Sequence, residues 1–445
     1  MTKQTQENKI NIVDYFNADV KAFSVYDCVR SIPSGIDGFK PAMRKIIFGM
    51  QKAFKNEEVK VSIAASGIQS VSHYHHGSLE GTIVNMAQNY VGSNNVPFLE
   101  AIGQFGSRIS PESAASRYIF TKLTPAFDTI FSKLDNDILA YHVDDGESIE
   151  PVYYLPIIPT ILVNGSNGMG TGFACNIMNY NPVDIIDAVK SILVDGYKDT
   201  KLVPWYKGFK GKIECNGNQI VTYGIIEKIS STKLKITELP IGYYTTKYRE
   251  VLNTLEDAGT IKSYSDNSNE EQIEFVINTT RDIASLPIDE LLKLFKLVSR
   301  DTENFTVWTD QNKIKKFKSA DELLSWFVQF RLTKYDDRKA NILNKLSSEI
   351  KVLQEKIRFI KFYIDNVSTI KQLSKNELID LLKSNSFVEI ESLINIRMYS
   401  ITVDQIKLFE DSVAALMKDV LYYEKSSAKD LYLKDLVLLR KQLNH

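Results

Sequence analysis

Glycine and proline are confined to one part of this chain. All 21 glycines lie at or before Gly259 and all 12 prolines at or before Pro287, so the last 158 residues contain neither. A tail without the two strongest helix breakers is predicted to be mostly α-helix. Within it, Ile342, Leu346, Ile350, Leu353, Ile357, Ile360 and Ile364 are spaced 4, 4, 3, 4, 3 and 4 residues apart. Ile406, Phe409, Val413, Leu416, Val420 and Tyr423 follow at 3, 4, 3, 4 and 3. Each run keeps one narrow apolar stripe on a helix, as two helices paired in an antiparallel coiled coil require. Between them, Ser374 and Glu377 form a capping box that opens a short helix over 378–382, placing a small helical tip near 366–403. A plain helical bundle uses the same seams. The charges beside them (Lys345, Glu349, Lys351, Glu355, Lys356 and Lys361) favour a solvated arm whose tip meets a second copy.

Composition narrows the class. A chain of 445 residues exceeds one ordinary core. With 44% hydrophobic and 24% charged residues it has the profile of a folded soluble protein. Cys28, Cys175 and Cys215 are far apart, which points to a reducing compartment, the cytoplasm, and against a disulfide framework or zinc ribbon. No apolar run is long enough for a bilayer, so no membrane partner is expected. The net charge of −1 means that any nucleic-acid site is local.

The middle of the chain alternates β-rich and helical runs. Strands are expected over 220–225, 234–236, 272–277 and 305–308, and helices over 182–193, 245–258 and 288–295, an α+β region.

Chemistry concentrates in the first 140 residues. Lys40-Pro41 opens a helix that reaches Phe54 and turns Ile46, Ile47, Met50 and Phe54 inward. Arg30, Lys40, Arg44, Lys45, Lys52, Lys55 and Lys60 make this stretch basic although the whole chain is nearly neutral. His73, His75 and His76 follow within Ser72-His73-Tyr74-His75-His76-Gly77. No cysteine or carboxylate stands at ligand spacing from them, so no metal site is expected, and hydrogen bonding to phosphate is the favoured use. Downstream, Arg117-Tyr118 ends a run of small residues, Ser113-Ala114-Ala115-Ser116. One tyrosine among 22 is ordinarily a core residue. A phenol that attacks phosphorus needs help, and an adjacent guanidinium supplies it by neutralising charge on a pentacovalent phosphate.

A set of ordered motifs goes further. Arg30-Ser31-Ile32-Pro33-Ser34-Gly35-Ile36-Asp37-Gly38-Phe39-Lys40-Pro41 is followed by Tyr74-His75-His76-Gly77, Met86-Ala87-Gln88-Asn89-Tyr90, Gly92-Ser93-Asn94-Asn95, Phe105-Gly106-Ser107-Arg108 and Ala114-Ala115-Ser116-Arg117-Tyr118. Then come Ile157-Ile158-Pro159-Thr160-Ile161-Leu162-Val163-Asn164-Gly165, Gly168-Met169-Gly170-Thr171-Gly172, Pro204-Trp205-Tyr206-Lys207-Gly208, Ile236-Thr237-Glu238-Leu239-Pro240 and Asp430-Leu431-Tyr432. Together they resemble the breakage-reunion core of type IIA DNA topoisomerases, in family order and over nearly the whole chain. In wording they are more like eukaryotic topoisomerase II and the medium subunit of T-even-type phage topoisomerases than bacterial gyrase, and in length they are most like the phage medium subunit.

The resemblance implies a multidomain α+β fold: a winged-helix DNA-cleavage domain over 1–140, an α/β tower over 141–320, and coiled-coil arms with a dimerisation tip over 321–445. It implies that Tyr118 attacks DNA to give a 5′-phosphotyrosine, with Arg117 stabilising the transition state. Arg30, Lys40, Arg44, Lys45, His75, His76 and Arg108 would hold double-stranded DNA. Met169, where the family has isoleucine, would enter a base step from a glycine-rich loop. Residues 77–82 look shorter than their counterpart.

The chain contains no GxxxxGK[ST] run and no Asp-x-Asp-x-Asp-Gly element, so ATP and Mg²⁺ are expected on a large partner subunit. Asp135-Asn136-Asp137 and Asp144-Asp145-Gly146 are expected in solvated turns. No β-rich DNA-wrapping domain follows the arms, which favours relaxation and decatenation over supercoiling. The alternatives are an architectural DNA-binding protein with no use for the Arg117-Tyr118 pair, and a bacterial topoisomerase IV-like subunit.

Overall fold

A computed structural model describes residues 11–74, 76–196, 201–397 and 400–443. They form two compact units, Met1–Arg331 with Asp435–His445, and Leu332–Lys434.

In the first unit, Pro41 starts the helix Pro41–Phe54 at the position where a missing amide hydrogen costs nothing. It packs on the helix Val61–Val71 at a separation set by glycine. A Cβ on Gly49 would sit 2.6 Å from Ile68 Cγ1, and one on Gly67 2.5 Å from Phe54 Cζ. Between these helices, Val59–Lys60 pairs antiparallel with Phe120–Thr121, which brings the chain just after Tyr118 back to the helical pair. Beneath lies an aromatic core in which Phe127 stacks on Phe131 at 4.6 Å, with Phe39, Phe98 and Tyr154 around them.

The α+β region is present. Four antiparallel strands stand in the order Ile261–Asp266, Phe275–Thr279, Lys233–Glu238 and Ile225–Ser230. Leu234, Ile236, Phe275 and Ile277 meet Tyr248 and Leu252 of the helix Thr245–Asp257 and Leu291 of the helix Ile288–Leu294 in one core. The strand expected over 220–225 is broken at Gly224, where the backbone passes so close to its neighbour that a Cβ would lie 2.5 Å from Glu238 O. Gln219–Tyr223 belongs to a separate three-stranded sheet and Ile225–Ser230 to the four-stranded one. One acidic run also departs from expectation. Asp135 is buried rather than solvated, because its carboxylate accepts a 2.5 Å bond from the fully buried Arg331.

The second unit contains most of the 46-residue helix Ala320–Asp365 and its return, Val403–Lys425. The two run antiparallel: Lys339 Nζ donates to the carbonyls of Glu424 and Ser426, and Lys361 pairs with Glu410 at 2.9 Å. Most seam residues are half-buried, as a two-helix pairing leaves them, and Ile364 at the far end is exposed. The capping box forms on the helix Lys375–Ser384. Leu382, Phe387 and Leu393 close over Phe359, Ile360 and Ile406 as a small separate core.

Candidate active site

Tyr118 stands on a turn over 116–118 and is 66% exposed. Its neighbours fix it. Ile119 is buried, its carbonyl accepts from Val61 N at 3.0 Å, and the Ser116 carbonyl accepts from Ser62 N at 3.3 Å. Upstream, the Gln88 carboxamide donates to the carbonyls of Phe105 and Pro111, clamping the loop that leads to the turn. Gly106, at φ +94°, lies where a Cβ would meet Pro111 O at 2.6 Å, so only glycine fits that clamp. An amphipathic ring is thus held out in solvent, which a folding role does not require. The Arg117 guanidinium lies over it, 4.7 Å from the ring centroid.

A second group forms around the helix Lys21–Ser31. Arg30 lies on the Tyr26 ring, and the Tyr26 hydroxyl is 2.9 Å from His76 Nε2. Beside it, the glycine-rich segment expected as a loop is a β-hairpin, Ser166–Gly170 paired with Phe173–Ile177. Glycine is required because the hairpin lies directly on the helix. A Cβ on Gly168 would come within 2.0 Å of Ser31 O, and one on Gly170 within 3.1 Å of Cys28 Sγ. Asp27 binds the turn, its carboxylate accepting from Thr171 N and Oγ1. These bonds hold the Asp27 carboxyl below the usual carboxylate range. On this anchored hairpin Met169 is 85% exposed. Burial pulls the Lys40 ammonium below the ordinary lysine range. Arg30 and Lys40 border a groove of about 640 Å³ that Thr82, Asn85 and Asn167 also line.

Three of the expected phosphate contacts are spent inside the protein. Arg44 forms a two-bond pair with the buried Asp37 and donates to Phe39 O. Lys45 Nζ bonds Glu150 at 2.8 Å and Ser72 O at 2.6 Å. Arg108 is buried, paired with Glu238 at 2.5 Å and bonded to Leu239 O. A guanidinium or ammonium so neutralised and desolvated has little charge to offer a phosphate. His75 lies outside the described residues. His73 turns to Asp144, 2.9 Å away, so a carboxylate does reach the histidines, from a hairpin far along the chain. His73, Asp144 and Asp145 bring their ligand atoms within 4.8 Å of one another, the one such group among the described residues. That nitrogen-bearing, exposed set is unlike a Mg²⁺ site, and the 116–118 turn carries no carboxylate. The residues present do not fit magnesium at Tyr118.

Comparison with known proteins shows the family. The family model for the DNA gyrase/topoisomerase IV A-subunit matches residues 30–441. The chain belongs to this breakage-reunion family of type IIA DNA topoisomerases. Mitochondrial DNA topoisomerase 2 of Dictyostelium discoideum is 38% identical over 454 residues, covering 98% of this chain and 35% of that protein. DNA topoisomerase 2 of Plasmodium falciparum (isolate K1 / Thailand) is 41% identical over 390 residues, 85% of this chain and 28% of that one. The crystal structure of the Plasmodium falciparum topoisomerase II DNA-binding, cleavage and re-ligation domain superposes with a TM-score of 0.90 at 35% identity, covering 97% of this chain and 64% of that chain. This topoisomerase-family chain therefore spans about a third of the curated relatives it matches, and the relatives named here are eukaryotic. Among its described residues no helix is long and apolar enough to cross a membrane.

Proposed function

We propose that this chain is the DNA-cleaving and religating part of an ATP-dependent type II topoisomerase that serves DNA replication. The observation that carries it is an exposed Tyr118, held on a braced turn with the Arg117 cation over its ring. Tyr118 Oη attacks a backbone phosphorus, the bond to the 3′ oxygen breaks, and that oxygen leaves as a hydroxyl with a proton. One phosphodiester is exchanged for another, so the 3′-hydroxyl reseals the strand by the reverse step. Arg117 offsets the charge that builds on the phosphate as five oxygens surround it.

Arg30, Lys40 and His76 bind backbone phosphates of double-stranded DNA, and Met169 wedges a base step open. Residues 1–140 act as the winged-helix cleavage domain, 141–320 as the tower, and 321–445 as arms whose tip joins two copies. Mg²⁺ and ATP are bound by polypeptide outside these 445 residues, a large subunit if the enzyme is divided as in T-even-type phages, and the complex works in the cytoplasm. Magnesium would supply charge neutralisation at the reacting phosphate.

Supercoiled plasmid and catenated circles, given to the chain with its ATP-hydrolysing partner, test the assignment. ATP-dependent relaxation and decatenation are expected, and negative supercoiling of relaxed plasmid would contradict the expected outcome.

A further inference from the structure

Met169 has a polar companion. The strand Ser166–Gly170 alternates in exposure, so Asn167 and Met169 share the outward face while Gly168 and Gly170 lie on the helix Lys21–Ser31. The register is locked, since a one-residue slip would bring Asn167 or Met169 to the position where Gly168 has no room for a Cβ beside Ser31 O. Strand residues rise about 3.4 Å each, so Asn167 stands roughly 7 Å from the wedge along the strand. That is the spacing of about two base pairs in B-form DNA.

Three neighbouring carboxamides are already engaged within the protein. Asn176, its cross-strand partner, donates to Asp301 Oδ1 and Thr302 O. Asn164 is bonded at both ends to Val96, and Asn179 donates to Ser93 O. The Asn167 carboxamide is exposed, lines the Arg30 and Lys40 groove, and has no hydrogen-bond partner among the described residues.

We propose that Asn167 is a specificity-determining residue that reads a G·C pair in the minor groove beside the step opened by Met169. The inference rests on the function proposed above. An apolar wedge enters from the minor groove and bends the duplex away, which carries its strand neighbours to the same groove. There a G·C pair offers the N3 acceptor and the N2 amino donor side by side, whereas A·T offers acceptors alone. A carboxamide, with one donor and one acceptor, complements guanine at both ends and leaves its oxygen unpaired against A·T.

The test is competition binding of the chain to duplexes carrying 2-aminopurine at the wedged step, with G·C, A·T or inosine·C placed in turn at each pair within about two steps. Inosine lacks the N2 amino group and leaves the major-groove edge of guanine intact. Wild type is expected to bind the G·C duplex at one of these positions roughly five-fold or more tightly than either alternative. Asn167→Ala is expected to bind all three equally while retaining the fluorescence rise that reports unstacking. Equal binding by wild type, or an unchanged preference in Asn167→Ala, overturns the assignment of Asn167. A fluorescence signal that is the same in wild type and Met169→Ala removes the wedge, and with it both the proposed function of Met169 and this inference.

Discussion

Asp27 and Thr171 are 144 residues apart in sequence and joined by two hydrogen bonds, 2.7 Å to the Thr171 amide and 2.9 Å to its hydroxyl. Through them the helix that carries Arg30 holds the turn of the hairpin that carries Met169. Asp27→Ala is expected to leave the fold intact and lower the 2-aminopurine signal at the wedged step. The folded Asp27 carboxyl is held below its ordinary value, so the tether survives as pH falls through the usual carboxylate range and is lost only below it, as pH passes the lowered folded value. Stopped-flow fluorescence of wild type and variant on one labelled duplex checks this.

Arg30 and Lys40 border the groove, whereas Arg44 is bound to Asp37. Arg30→Ala and Lys40→Ala should each lower the slope of log affinity against log salt by about 1. Arg44→Ala should instead lower the melting temperature, because it strands the Asp37 carboxylate in the interior. Anisotropy titrations at several salt concentrations, paired with thermal melts, separate the two behaviours.

The Arg108–Glu238 pair joins the loop before Tyr118 to the four-stranded sheet. Losing one partner of a buried pair costs about 3–5 kcal/mol. Either Arg108→Ala or Glu238→Ala is expected to destabilise by this order, and the double variant by less than their sum. Denaturant titration reads the coupling directly.

The long-range pairings are what the sequence could not disclose. Short-range signals were legible: Pro41 at a helix start, the Ser374–Glu377 box, and the apolar seams of the arms are satisfied within a few residues or by a periodic face. Whether a basic residue meets solvent or a carboxylate depends on chain brought from elsewhere, 105 residues away for Lys45 and 130 for Arg108. A count of lysines and arginines therefore overstated the phosphate-binding face. Arg44 was within reach of such reasoning, since Asp37 lies only seven residues before it. Asp135 was not, because Arg331 stands 196 residues away. The glycines of 165–172 read as a loop, and no local signal showed that they lie against the helix ending at Ser31.

Glu303 is buried, accepting from Met178 N and the Tyr180 hydroxyl, and burial pushes its carboxyl up to about 6. Between about pH 4.5 and 6 the folded state therefore holds more protons than the unfolded state. Stability should fall as pH rises through that window, by on the order of 2 kcal/mol, and then level off. Glu303→Gln keeps an acceptor oxygen without the charge and should remove this slope. Urea unfolding at a series of pH values gives the comparison.

Arg117→Ala should reduce the cleavage rate by about 10²–10³-fold with little change in DNA affinity, the usual loss when one charge-stabilising donor is removed. Arg117→Lys, with the charge but not the planar fork, should fall between. Single-turnover cleavage of a labelled duplex by the reconstituted enzyme measures both.

The most direct measurement traps the covalent intermediate. The chain is combined with its partner, magnesium and plasmid, quenched with denaturant, digested with nuclease and protease, and analysed by mass spectrometry beside Tyr118→Phe. The account predicts a peptide spanning Tyr118 linked through its phenolic oxygen to the 5′ phosphate of a nucleotide, in wild type alone. A nucleotide on another tyrosine, or linked peptides in equal amount from Tyr118→Phe, would contradict it.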